Sequence, residues 1–444
     1  MPRLLSILRL SILSLSGMPL AFALPAMAQD GPPAATVEVL SLPPLPLGRV
    51  EIPGGKTLNL NVGFGSGLFR SPSDPEGVFW AITDRGPNVD CKKPKDITGL
   101  GTKEICDGDK DGKIFPLPAF TPSIYKLKID PAGAVRVLET LPLKGRSGKP
   151  ITGLPNDLKS SEAAFSVAGK SIDKDPSGLD TEALVRLPDG SFWVGEEYGP
   201  SLVEVAPDGA IRRRLVPQGL ADRLKGADYE IAPVLPAILA SRDLNHGIES
   251  LALSPDGAFL YVLMQGALAN PDKKAADSSP LVRLIKLDRK TGAVVGSYAY
   301  RASAPVEFKA DETGKAREQS DVKMSEMVAV GQDRLLVLER IDKTTKLFLV
   351  DLDGATPLPR GIDTASTSPT LEQLAPEDFA RNGVTPLAKT LILDSDRLKD
   401  LPAKIEGVAV LNDRELVLVS DSDFGIKGDT TEMRRVRFDK PVLK

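Results

Sequence analysis

Histidine is almost missing from this chain: one residue among 444, beside two cysteines and an aromatic content of 5%. A single His excludes the multi-histidine zinc sites. It also leaves Ser66, in Gly65-Ser66-Gly67, without a credible Ser-His-Asp triad. No Gly-x-Ser-x-Gly elbow occurs, which argues against a serine esterase of the α/β-hydrolase type. Two cysteines alone make a poor metal site. Basic residues form no block, and no dense lysine cluster is available to grip a polyanion, so neither nucleic acid nor an anionic membrane is an expected partner. Beyond residue 28 no apolar run is long enough to cross a bilayer. Amphipathic helices do not alternate with strands, which disfavours a parallel α/β fold.

What is present begins with export. Residues 1–28 carry Arg3 and Arg9, an apolar run over 4–24, and Ala26-Met27-Ala28, the pattern of a cleavable secretory signal. The alternative for that segment is an uncleaved N-terminal anchor. Cleavage predicts a periplasmic or secreted chain of residues 29–444, expected as a monomer, with 54 basic and 60 acidic side chains and a net charge of −6. In an oxidising compartment Cys91 and Cys106, both in one loop, are expected to form a disulfide.

The remaining sequence repeats one sentence. Residues 178–199 read as two short strands folded about Pro188-Asp189-Gly190, a hairpin by turn chemistry. Related hairpins open at Glu249, Glu326 and Glu406 and turn at Pro255-Asp256-Gly257, Gln332-Asp333 and Asn412-Asp413. A degenerate copy starts near Gly65-Ser66-Gly67 and ends at Thr83-Asp84-Arg85. Further strands follow each hairpin, and repeated four-stranded antiparallel units signal an all-β chain, a β-propeller. Five blades are counted, and six if residues 145–177 or 301–322 hide strands. The last unit is one strand short, and the alternating segment 36–42 is expected to close the ring. Residues 29–444 read as a single domain, with insertions near 86–120, 145–177, 217–245, 301–322 and 355–388.

First strands of propeller blades lie nearest the axis, so Glu182, Glu249, Glu326 and Glu406 are expected around one channel mouth. Asp84, Glu197 and Asp421, at the ends of second strands, are expected to flank them. Crowded carboxylates repel unless protonated or bridged by a cation, and hard oxygen donors select Ca²⁺, with Mg²⁺ as the second choice. The competing reading makes each Glu a cap on its blade, bonded to neighbouring backbone amides or to an Arg. Arg85 is a candidate bidentate clamp for phosphate and Asn88 a neutral donor beside it. Glu249 is placed in the catalytic set, and His246 is either a general acid or base or a packed side chain. A second cation site is suggested by Asp107, Asp109 and Asp111 with Gly112, the opening of a calcium loop, although Pro118 stands where the closing Glu belongs.

Asp84-Arg85-Gly86-Pro87-Asn88, Phe115-Pro116-Leu117-Pro118, the Glu182 and Glu249 hairpins, Lys404-Ile405-Glu406-Gly407 and the run from Ser420 to Gly425 together resemble the exported bacterial "esterase-like activity of phytase" proteins. The resemblance covers nearly all of residues 29–444. It implies a phytase-like propeller, hydrolysis of small phosphate esters, and calcium as the ion. Two other readings share the same acidic mouth: a propeller lactonase or carboxyl esterase, and a non-catalytic binding propeller with structural calcium.

Overall fold

The turns dictate the sheets. In the computed structural model Gly190 takes φ +89°, a region open to glycine, and Asp189 Oδ1 accepts the Ser191 N–H at 3.0 Å, folding Thr181–Arg186 back on Phe192–Glu196. The structure describes residues 31–443 except 54, 313, 315, 366 and 367, so the export signal expected at 1–28 lies outside the described residues.

Five sheets follow one plan. The first holds Gly67–Phe69, Val78–Ile82, Ser123–Ile129 and Val135–Pro142. The second holds Thr181–Arg186, Phe192–Glu196, Ser201–Val205 and Ile211–Pro217, with Glu230–Leu235 added in parallel at its edge. The third runs through Ile248–Leu253, Phe259–Met264, Leu281–Asp288 and Val294–Arg301, and the fourth through Lys323–Gly331, Arg334–Arg340, Thr345–Asp351 and Lys389–Asp394. The fifth takes Ile405–Asn412, Glu415–Ser420 and Met433–Phe438 from the end of the chain and Ala35–Leu40 from its beginning, with Val37 opposite Val436.

First strands pack side by side, each on that of the next sheet, and Ile405–Asn412 packs on Gly67–Phe69. Apolar side chains fill the gaps between successive sheets. Trp80, Leu184 and Val194 lie between the first and second, and Leu251, Val262, Met327 and Val337 between the third and fourth. Leu336, Val408 and Leu418 join the fourth to the fifth, and Leu68, Phe79 and Val417 join the fifth to the first. Each such side chain contributes about 1.5–3 kcal/mol on burial. Because these strands are covered on both faces, they read as near-continuous apolar runs.

Most inserted segments hold little regular structure. The exception is a small separate sheet in which Val89–Asp90 and Lys113–Ile114 meet Ala164–Phe165 and Ser171–Ile172. Residues 145–177 therefore do contain strands, but these complete the 86–120 insertion. Beyond Arg301, which ends a strand, the described residues of 301–322 hold 3₁₀ turns and no strand, among them Pro305–Glu307 and Gln319–Asp321. Cys91 and Cys106 are joined, with Cα atoms 6.0 Å apart, and tie the 86–120 insertion to itself. No helix among the described residues is long and apolar enough to cross a membrane.

Candidate functional site

A β-bulge at the same place in several first strands aims the site. Thr181 pairs with Glu196 and Ala183 with Gly195, so Glu182 is the extra residue between them. Glu249 is extra between Ile248 and Ser250, and Glu406 between Ile405 and Gly407. A bulge turns its side chain out of the alternation, and all three carboxylates enter one cavity of about 690 Å³.

Glu326 does not join them. In the fourth sheet Met324 pairs with Glu339 and Glu326 with Leu338, so the bulged residue is Ser325. One position of register reverses the facing of a strand residue. Glu326 lines a second cavity instead, where its oxygens accept the N–H groups of Leu68 and Met327, each at 3.0 Å. For this glutamate the backbone-cap reading holds.

Three groups of carboxylates stand at or beside the first cavity, which Asp90, Asp96 and Asp342 also line. In the first, carboxylate oxygens of Asp84, Asp180 and Glu182 lie within 4.8 Å of one another, the one set of this kind among the described residues. Burial, then the charges of Asp180 and Asp421, push Asp84 well above the usual carboxylate range, against Arg85 and the Gly86 N–H. Asp180 is pushed up to about 7 by burial, with Arg85 opposing, and Glu182 is raised by burial and then by Asp180 and Asp84. In the second group, Ser325 Oγ donates to Glu249 Oε2 at 2.8 Å, Arg340 Nε donates to Ser325 Oγ at 3.0 Å, and the Arg340 guanidinium pairs with Glu406. Burial pushes Glu249 up to about 8, despite Lys323 and Arg340. In the third, Lys404 Nζ bridges Asp421 at 2.8 Å and Asp423 at 2.7 Å. Burial raises Asp421 to about 7 against Lys404, whereas for Asp423 burial is overcome by the charge and hydrogen bond of Lys404 together with Asp421 and Lys427, which hold it at about 2.

Arg85 is a keystone under the first group. Its guanidinium lies 2.8 Å from Glu162 and 3.1 Å from Asp180 Oδ2, and it donates to Asn245 Oδ1. The Asp180 contact has ion-pair distance without hydrogen-bond alignment, leaving that oxygen an unused acceptor. Glu197, 2% exposed, lies 3.9 Å from Arg85, and its Oε1 has no hydrogen-bond partner among the described residues. Gly153 lies flush against this strand end, where an added Cβ would stand 1.7 Å from the Arg85 carbonyl oxygen. Asn88 borders the cavity, its amide donating to Gly86 O at 3.1 Å.

Two expected sites are not assembled. His246 stays outside the cavity lining, its ring nitrogens 3.0 Å from Leu244 O and 3.4 Å from Ser320 O, and burial lowers its pKa. This is a packed imidazole. Asp107, Asp109 and Asp111 are exposed and form no three-carboxylate group; Asp109 Oδ1 accepts the N–H groups of Asp111 and Gly112 at 2.8 and 3.1 Å and so stabilises its own turn.

Sequence reasoning missed Asp180, Glu162, Ser325 and Arg340. Asp180 lies just before the strand and Glu182 on its bulge, so strand alternation gave no signal that the two carboxylates meet. The rim was also missed. Lys93, Lys323, Lys343, Lys404 and Lys427, scattered along the chain, all border the cavity.

The architecture and site define a class: an all-β protein of repeated four-stranded sheets with a buried carboxylate group under a basic rim. The chain belongs to the phytase-like family described as "esterase-like activity of phytase", matched over residues 61–424. It is 28% identical over 243 residues to an uncharacterized secreted protein of Arthroderma benhamiae, a match spanning 47% of this chain and 45% of that protein. Two solved structures overlay loosely. Regucalcin of Agrobacterium tumefaciens, a calcium-binding protein, has 14% identity and TM-score 0.34, covering 90% of this chain and 98% of that one. Virginiamycin B lyase of Staphylococcus aureus has 7% identity and TM-score 0.30, covering 91% and 99%.

Proposed function

We propose that this chain is an exported metal-dependent hydrolase of small phosphate esters, built as a closed five-bladed propeller. The observation that carries the reading is the Asp84–Asp180–Glu182 group beneath a lysine rim. Its residues fit a hard divalent cation: three oxygen donors converge, Asp180 Oδ2 has an unused lone pair, and burial makes their joint charge costly without a counter-ion. Asp84, Asp180 and Glu182 would hold Ca²⁺ or Mg²⁺. When bound, such a cation polarises a phosphoryl oxygen and lowers the pKa of a coordinated water.

The chain's own groups supply the rest. Lys323, Lys343 and Lys427 have no salt-bridge partner among the described residues and draw an anionic ester to the mouth. Arg85 holds Asp180 and Glu162 in place while bordering the cavity where phosphate would sit, with Asn88 beside it. Glu249, pushed up to about 8 by burial and with Ser325 fixed on Oε2, is the group that would give a proton to the leaving oxygen.

The test is a substrate panel on the purified chain and on Asp180→Asn: p-nitrophenyl phosphate, bis(p-nitrophenyl) phosphate, p-nitrophenyl acetate and a γ-lactone, each with Ca²⁺, Mg²⁺ or EDTA. Phosphate release abolished by EDTA and by Asp180→Asn is the expected result. Turnover of the acetate or lactone alone moves the activity to carboxyl esters. No turnover with Ca²⁺ retained leaves a binding propeller.

A further inference from the structure

The first strands have two ends, and the second end also opens into a cavity. It measures about 630 Å³, inside the range of about 300–1,000 Å³ usual for small-molecule pockets. Its walls are apolar, from Leu68, Leu184, Leu251 and Met327, and its floor is Glu326. That carboxyl is satisfied by the Leu68 and Met327 amides, so the floor presents little unmet polarity to an apolar guest.

The rim carries charge of both signs, but not equally available. Asp189 accepts bonds from the Ser191 N–H and Oγ, and Asp256 from the Ser254 Oγ and Ala258 N–H, so both serve their own turns. Arg186 is 3.4 Å from Asp74 and stacks 4.7 Å over Trp80. Arg70 and Arg289 differ. Both border the cavity, neither has a carboxylate within salt-bridge distance among the described residues although Arg289 feels the charge of Asp189, and the buried Arg70 Nε has no hydrogen-bond partner there. Arg289 is steadied by donating Nε–H to Gly257 O at 2.6 Å, which leaves its terminal nitrogens uncommitted. Guanidinium groups with uncommitted donors beside an apolar cavity suit an anionic head on an apolar body.

We propose that this second cavity binds a small anionic amphiphile, with its apolar body between Leu68, Leu184, Leu251 and Met327 and its head group at Arg70 and Arg289. The site is distinct from the acidic cavity and does not depend on the hydrolase reading.

The experiment is calorimetric titration of the full chain with decanoate, decanol and decyltrimethylammonium, which share one tail and differ in head charge. Decanoate is expected to bind one to one and about tenfold more tightly than decanol, the weight of charge-assisted bonds to the rim. Arg70→Gln combined with Arg289→Gln lowers decanoate affinity to that of decanol and leaves decanol unchanged. Val330→Trp, at a half-buried wall position, removes both. Thermal unfolding of each variant checks that it folds, and the half-buried arginine pair tests the head-group contact even if the tryptophan variant does not fold. Equal binding of decanoate and decanol, tighter binding of the ammonium, or decanoate affinity indifferent to the arginine changes overturns the proposal.

Discussion

Ser325 Oγ hands its hydrogen to Glu249 Oε2 across 2.8 Å, from the strand position where the second, third and fifth sheets carry a glutamate. A hydroxyl thus replaces the fourth carboxylate and orients the one next to it, while Arg340 fixes the hydroxyl from behind. Ser325→Ala removes that orientation and leaves a buried carboxyl oxygen short of a partner. We expect about 1–2 kcal/mol of lost stability, together with an upward move of the Glu249 limb in the pH–rate profile. Thermal unfolding and steady-state kinetics from pH 5 to 9 measure both, and an unmoved limb would separate Ser325 from Glu249 function.

The grouping of the carboxylates predicts a split between binding and turnover. Asp180→Asn is expected to weaken Ca²⁺ binding by about tenfold or more while folding survives, because relief of repulsion offsets the lost donor. Glu249→Gln is expected to cut turnover with Ca²⁺ affinity changed less than about threefold, since Glu249 stands outside the Asp84–Asp180–Glu182 group. Calorimetric titration beside kinetics on the two variants distinguishes the roles. Equal losses of affinity would merge the carboxylates into one coordination set.

Acid strength in the fold sets a pH dependence with a definite sign. Asp180 and Asp421 rise to about 7 and Glu249 to about 8, chiefly through burial. Between the unfolded values near about 4 and these, the folded chain holds more protons than the unfolded one. Stability therefore falls as pH climbs through that window. In EDTA the melting temperature is expected to drop from pH 5 to pH 8. Added Ca²⁺ raises it more at pH 8, where fewer protons compete for the same oxygens. A Ca²⁺ increment larger at pH 5 contradicts the assignment.

The disulfide governs one wall of the cavity. Cys91 and Cys106, 15 residues apart, enclose Lys93, Asp96 and Ile97, which border the same cavity. Closing a loop of that length is worth about 3 kcal/mol. Replacing both cysteines by serine is expected to cost up to that amount and to raise KM more than it lowers kcat, because the wall loosens and the carboxylate group stays. A larger effect on kcat would tie the insertion to the chemistry.

Much of the fold was legible because its turns are written in local chemistry. Pro188-Asp189-Gly190 and Pro255-Asp256-Gly257 bend where they were read to bend, and the early alternating strand pairs with the last one. Glu230–Leu235 was hidden by Pro233 within it and Pro236 after it, which its edge position tolerates. The two-residue strands of the inserted sheet are too short to show any period. At the site, Glu182, Glu249 and Glu406 follow from the repeat, but a bulge is a matter of register, so nothing local distinguishes Ser325 from Glu326. The lysine rim was invisible for another reason: proximity of Lys93, Lys323 and Lys427 exists only after distant segments meet.

The pairing of Ala35–Leu40 with Met433–Phe438 also sets a schedule. Chains grow from the N-terminus, and earlier segments ordinarily fold first. Here an early strand has no partner until residue 438 has been synthesised, and until then its edge hydrogen bonds are open to any passing strand. A β-segment made early is thus among the last to be secured, so the fifth sheet is completed only when the two distant ends of its chain segment meet.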